Sequence, residues 1–214
     1  METEVGTDAS GSGQGQQFDS NAANCKDDGL SHSCAGSMKE QIDSGQQRPN
    51  AIRPEIDGIP EDLRHLRQWV LWSYIRRNGR WTKVPYTPGT TKQAKTNDPA
   101  TWRSFEDACT FYRVGPAING QRPDGIGFVF SSEDPFTGVD LDNARDPVTG
   151  QIRDWARPLI EMLDTHCEVS PSGTGVKLIC RAKLKITRHK QVYGGGQVEV
   201  FDDKKYFTLT GVRV

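Results

Sequence analysis

The chain has 214 residues, 27 basic against 28 acidic side chains, a formal charge of −1 and a mean hydropathy of −0.67. That length allows one substantial domain; with no long apolar run and no charged-then-apolar leader, membrane spanning and secretion are unsupported and a cytoplasmic location is expected. The five cysteines, Cys25, Cys34, Cys109, Cys167 and Cys180, form no CxxC pair and are odd in number, which argues against a disulfide framework or zinc ribbon.

Residues 1–57 are rich in Gly, Ser, Asn, Gln and Asp, with Phe18 as their one aromatic. Such a stretch buries too little apolar surface to offset the entropy of ordering it, so a disordered low-complexity tail is expected there, with a globular domain over 58–214. Cys25, His32 and Cys34 lie close in the tail but lack a fourth zinc ligand. The tail holds ten acids against four bases; the whole-chain charge of −1 thus hides a globular part near +5. Such a surface is compatible with a phosphate-bearing partner. Met38 is an alternative start that would remove most of the tail.

From residue 60 the pattern becomes structured. A short helix over EDLRHLRQ leads into a strand, WVLWSYI (69–75), and Asn78-Gly79 turns it into the returning strand RWTKVPY (80–86). Asp98, with Pro99 behind it, is placed to cap a helix that carries Trp102, Phe105, Cys109 and Tyr112 on one face. A second hairpin is expected from GIGFVF (125–130) to GVDLDN through SEDPFTG, then an amphipathic helix over 153–164 with Pro158 in its first turn. The last third reads as strands at CEV, VKLICR, VEVFD and KYFTLTG, with a glycine turn at 194–196. Strands joined mostly by hairpins, with a few helices between, predict an α+β domain with a largely antiparallel sheet.

Within GVDLDN, Asp140 and Asp142 flank Leu141. Alternation along a strand sends both carboxylates to one face and the leucine to the core. Adjacent carboxylates repel unless a cation joins them, and a pair of divalent ions about 4 Å apart is one solution; two solvated acids at a strand end is the other reading. Three further elements bear on this choice. The SPSGTG loop (170–175), and Ser172, Gly173 and Gly175 in particular, suits a turn whose N–H groups converge on an anion. Lys177 and Arg181 alternate onto one face of VKLICR, where they either hold phosphates or stay solvated. Glu199, between Val198 and Val200, either faces solvent or meets a metal.

The strings WVLW, KVPY, NDPATW, GIGFVF, DPFTGVDLDN, SPSGTGV, VEVFD and KYFTLTG, in this order from about Leu66 to Gly211, resemble the archaeo-eukaryotic primase superfamily, in its phage and plasmid primase-polymerase branch. The resemblance implies a catalytic core with an RRM-like antiparallel sheet flanked by helices. It implies that Asp140, Asp142 and Glu199 bind two Mg²⁺ or Mn²⁺ ions, and that a phosphate-contacting histidine is replaced by Lys177. It places Tyr206 near the sugar of the incoming nucleotide, and Lys204-Lys205 where relatives carry an arginine. Nucleoside triphosphates would be held by Lys177, Arg181 and residues 172–175, with Lys83 in the shared KVPY string as a phosphate contact. Template and primer DNA would be met by Arg76, Arg77, Arg80 and Lys83, and by Lys183, Lys185, Arg188 and Lys190. Relatives commonly continue into a helical module and a helicase, so a helicase domain or protein is an expected partner and the chain reads as a fragment, a stand-alone domain or half of a split gene.

Three functions stay open on the sequence: a template-dependent nucleotidyltransferase that makes or extends primers, a degenerate domain that binds nucleotide or single-stranded DNA without chemistry, and a metal-dependent phosphohydrolase or nuclease. The last lacks a general-base histidine near the acids.

Overall fold

A computed structural model describes residues 47–185 and 188–214. It contains two antiparallel sheets. In chain order the elements are α1 (Glu61–Arg64), β1 (Trp69–Arg77), β2 (Arg80–Tyr86), α2 (Phe105–Val114), β3 (Gly125–Phe130), β4 (Phe136–Asp142), α3 (Arg157–Leu163), β5 (His166–Val169), β6 (Val176–Arg181), β7 (Arg188–Tyr193), β8 (Gly196–Phe201) and β9 (Lys205–Leu209). The strand orders are β2-β1-β3-β9 and β5-β6-β4-β8-β7. The fold class is therefore α+β, as the pattern implied. No helix among the described residues is long and apolar enough to cross a membrane.

The first hairpin forms as expected. Asn78 and Gly79 both take positive φ, 49° and 76°, the geometry a two-residue turn needs to match strand twist. The expected second hairpin does not form. β3 pairs with β1 and β9, whereas β4 pairs with β6 and β8. Between them the buried carboxylate of Asp134 accepts from Ser131 N (2.8 Å), Phe136 N (2.7 Å) and Gln68 Nε2 (2.7 Å). Two of these bonds lie within the turn and the third ties it to the residue before β1, and the chain leaves one sheet for the other instead of folding back on β3.

Smaller differences have local causes. Asp98 caps only a 3₁₀ turn, Pro99–Thr101, and Trp102 is extended; Ser104 is the true cap of α2, accepting from Asp107 N at 3.1 Å. Trp102 accordingly packs with Val70, Ala94 and Val129, while Phe105, Ala108 and Cys109 enter the main core. The helix around Pro158 is confined to Arg157–Leu163, with the proline in its first turn. Strand β7 carries no strand pattern of its own, because RHKQVY is charged; it pairs with β8 across the glycine turn. Residues 48–57, included in the expected tail, lie against the domain: Ile52 N donates to Pro171 O (2.9 Å) and Glu55 N to Thr210 O (2.7 Å). Residues 1–46 of that segment, with Cys25, His32 and Cys34, lie outside the described residues.

The two sheets meet through aromatic rings. Phe130 and Phe207 of the first and Phe201 of the second pack mutually edge to face, with centroids 4.8–5.4 Å apart. Such pairs add to simple area burial because ring edges meet ring faces. The opposite face of the second sheet, with Leu141, Val176 and Leu178, is covered by Trp155 and by Leu159, Ile160 and Leu163 of α3. Gly138 permits the close approach of the sheets: a Cβ there would lie 2.8 Å from the Phe207 ring and 2.9 Å from Phe130. Gly138→Ala should therefore overpack the junction and cost about 1–3 kcal/mol, read as a lower urea midpoint with an unchanged slope.

Candidate active site

The strand registers build one transverse row of charge. Asp140 of β4 lies opposite Lys177 of β6 on one side and Glu199 of β8 on the other; Lys177 in turn faces Glu168 of β5, and Glu199 faces Lys190 of β7. Directly opposed residues in an antiparallel pair point to the same face with Cβ atoms about 5 Å apart. Glu168, Lys177, Asp140, Glu199 and Lys190 are thus neighbours in that order. Leu141, one residue on, is fully buried on the other face, so the alternation expected of DLD holds.

Within the row the acids are compensated. Lys177 is 4 % exposed; its Nζ donates to Asp140 Oδ2 at 2.7 Å and lies 4.0 Å from the centroid of the Phe207 ring. Lys205 Nζ reaches Glu199 Oε1 at 3.2 Å. Asp142, two residues beyond Asp140, accepts from Gln197 Nε2 at 3.1 Å. Burial raises the Asp142 carboxyl above the ordinary range, and the charge of Asp140 adds to the rise. Among the described residues no group of three or more His, Cys, Asp and Glu side chains forms a ready metal centre. The donors themselves are carboxylate oxygens, the chemistry that suits Mg²⁺ and Mn²⁺, and mutual repulsion between Asp140 and Asp142 is what a cation would relieve.

The other sequence-derived residues divide. The 172–175 loop lies against the end of β4: a Cβ on Gly175 would come within 3.0 Å of Leu141 O, and Arg145 N donates to Thr174 O (2.9 Å). Two of its N–H groups are spent internally, Gly173 N on Ser170 O (2.8 Å) and Gly175 N on Ser170 Oγ (3.0 Å), while the Ser172 and Thr174 hydroxyls bond each other (2.9 Å). Arg181 shares the face of Lys177 but sits four residues further along β6, opposite Phe136, in an exposed ion pair with Asp62 (2.7 Å). Tyr206 is on the other face of β9 from Lys205 and Phe207, and its hydroxyl donates to Lys83 O at 2.8 Å. Burial raises that phenol far above its ordinary value. Of the expected DNA contacts, Arg76, Arg77 and Arg80 are exposed at the first hairpin tip, as are Lys185 and Lys190, and Lys183 is held by Ser131 O (2.8 Å); the Arg188 side chain lies outside the described set.

Lys83 belongs to the electrostatic environment of the acids although it comes from the other sheet. Burial first, and then the charge of Lys177, lower its ammonium to about 8, opposed by Asp140 and Asp142.

Glu168 is a residue the sequence reading passed over. It is fully buried and accepts from Thr210 N (2.7 Å), Gly211 N (3.1 Å) and His166 Nε2 (3.0 Å), pinning the exit of β9 to β5. Its flanks in CEV are apolar, the same signal that singled out Glu199.

No protein-family model matches the chain. Its similarity to a known protein nonetheless bears out the resemblance to primase-polymerases of phage type. Over 159 residues, 73% of this chain, it is 34% identical to a DNA primase-polymerase of Nitratiruptor phage NrS-1. The aligned part spans 21% of that protein's length.

The depressed Lys83 has a consequence for stability. Its folded value of about 8 lies below the ordinary 10.5, so its contribution is fully present above 10.5 and is lost as pH falls through 8. Between those limits the wild type should gain stability with rising pH by more than Lys83→Met does, measured as denaturant midpoints at each pH.

Proposed function

We propose that this chain carries the nucleotidyl-transfer core of a DNA primase-polymerase, with the archaeo-eukaryotic primase fold. It would make or extend primers on a single-stranded DNA template from nucleoside triphosphates. The observation that carries this reading is the cross-strand placement of Asp140 beside Glu199, with Asp142 two residues on, within a chain similar to a phage primase-polymerase. A helicase domain or protein as partner, and a cytoplasmic setting, are part of the same proposal.

Asp140, Asp142 and Glu199 would hold two Mg²⁺ or Mn²⁺ ions. When bound, these lower the pKa of the primer 3′-hydroxyl and neutralise the departing pyrophosphate. The chain's own residues orient the reactants. The 172–175 loop would present its remaining N–H groups to the triphosphate, and Lys177 would attract phosphate as a point charge where relatives use an imidazole. Lys83, lowered to about 8 chiefly by burial, would be held more firmly in its charged form by an approaching phosphate. Arg181, engaged with Asp62, would have to exchange that exposed partner, a small cost because surface pairs contribute little. Asp140→Ala with Asp142→Ala should abolish incorporation on primed and unprimed templates, supplied separately with ribo- and deoxynucleotides, while circular dichroism stays unchanged. Incorporation by that double variant at the wild-type rate would remove the assignment.

One observation favours a second reading, a domain that binds nucleotide or single-stranded DNA without chemistry. Lys177 and Lys205 already neutralise Asp140 and Glu199, so a divalent ion must compete with resident ammonium groups. Lys177→Met separates the two. Removing one partner of a buried pair should cost the metal-free protein about 3 kcal/mol, and Mn²⁺ should bind the variant more tightly than the wild type, restoring its melting temperature. Nucleotide binding without incorporation, and no Mn²⁺ response in either protein, would favour the binding module.

A further inference from the structure

A second concentration of charge lies where residues 50–54 meet the C-terminal end of α2 and the loop at 122–124. These segments line a cavity of about 300 Å³ into which Arg53, Arg113 and Arg122 are gathered. None of the three has a carboxylate partner among the described residues. The one acid in the wall, Asp124, is already engaged: it accepts from Arg48 and from Tyr74 N at 2.7 Å. Arg122 donates to the Arg113 carbonyl, which fixes it across the helix end. The Tyr112 hydroxyl is raised mainly by burial, and the charges of Arg53 and Arg122 draw it part of the way back.

A basic residue in the last turn of a helix is ordinary, since it meets the negative end of the dipole, and that accounts for Arg113. It does not account for Arg53 and Arg122, which arrive from separate segments. All three side chains are exposed, and together they offer an anion seated in the hollow several positive charges at once. Guanidinium forks match phosphate oxygens two at a time, and Tyr112 adds an aromatic wall. Across the Arg48–Asp124 pair lies a second hollow of about 300 Å³, lined by Arg48, Arg76 and Trp81. Arg48 is paired with Asp124, so Arg76 is the cation this hollow adds, and two hollows in succession suit a chain of phosphates better than a single one.

We propose that the Arg53–Arg113–Arg122 cavity binds a backbone phosphate of a single-stranded polynucleotide. This rests on the reading of the chain as a protein that works on DNA, but not on its chemistry. The site uses none of the acids or lysines of the charged row.

The test is strand binding by the full chain in EDTA, followed by the anisotropy of a labelled oligothymidylate over a salt series. Each lost phosphate contact on a single strand lowers the slope of log affinity against log salt by about 0.7. Arg53→Gln with Arg122→Gln, which empties the one phosphate site, should therefore reduce it by about 0.7, whereas Arg53→Lys with Arg122→Lys keeps the slope. Melting temperatures check that both variants fold. An unchanged slope and affinity in the glutamine variant, or no strand binding by the wild type at low salt, overturns the proposal. Parallel titrations with pyrophosphate and a free deoxynucleotide distinguish the source of phosphate; a loss confined to those arms also overturns the polynucleotide assignment. The Asp140→Ala, Asp142→Ala chain in the same assay separates the two readings. Arginine-dependent strand binding by a wild type that never extends a primer leaves this site standing and removes the activity. Primer extension with an unaltered slope does the reverse.

Discussion

Antiparallel register sets Asp140 directly between Lys177 and Glu199, and β4 holds that position because it is the central strand of its sheet. A slip of one residue in either pairing would turn the acids toward α3 and bring Leu141 to the charged face. The apolar layer forbids this. Leu141, Val176 and Leu178 are fully buried beneath α3, so the energy that packs that face also fixes the direction of the carboxylates on the other. The direction of the carboxylates is thus specified by residues on the opposite face of the sheet.

The same sheet changes character along its length. At the Phe136 end its inner face is aromatic and packs on the first sheet; at the Asp142 end it is acidic and partly solvated. Gly138 lies between these regimes, where the Phe207 and Phe130 rings come closest. Phe207 then serves twice, filling the junction on one side and offering its ring to the Lys177 ammonium on the other. A buried ammonium so placed meets both a carboxylate and a ring face, which offsets part of its desolvation. Packing and electrostatics are therefore coupled at one phenylalanine.

Charge compensation gives the row two states of interest. With Lys177 on Asp140 and Lys205 on Glu199 it is largely neutralised within the protein. A ligand that engaged either acid would have to displace the ammonium group that now meets it. Lys83 adds a third basic group from the opposite sheet, which ties the relative placement of the two sheets to the field at the acids. The segment 48–57, docked along Pro171, Thr210 and Asp124, brings further cationic groups to a different part of the surface.

The amino-acid sequence by itself determined the local features. Asn78-Gly79 reads as a tight turn, DLD as alternating, and the acid among valines at Glu199 as one that faces solvent or meets a cation; each is a consequence of backbone geometry or desolvation over a few residues. Only the tertiary structure decided which strands pair. At the crossing between the two sheets Asp134 closes the turn locally on Phe136 N, but its bond to Gln68 is a long-range contact with no local signature. The Lys177 contact with Asp140, the engagement of Arg181 by Asp62 and the burial of Glu168 beneath the β9 exit are likewise set by register and docking. Sequence fixes what each segment prefers, but partners remote in the chain are chosen by which faces can be buried together, and that choice is made only when the whole domain folds.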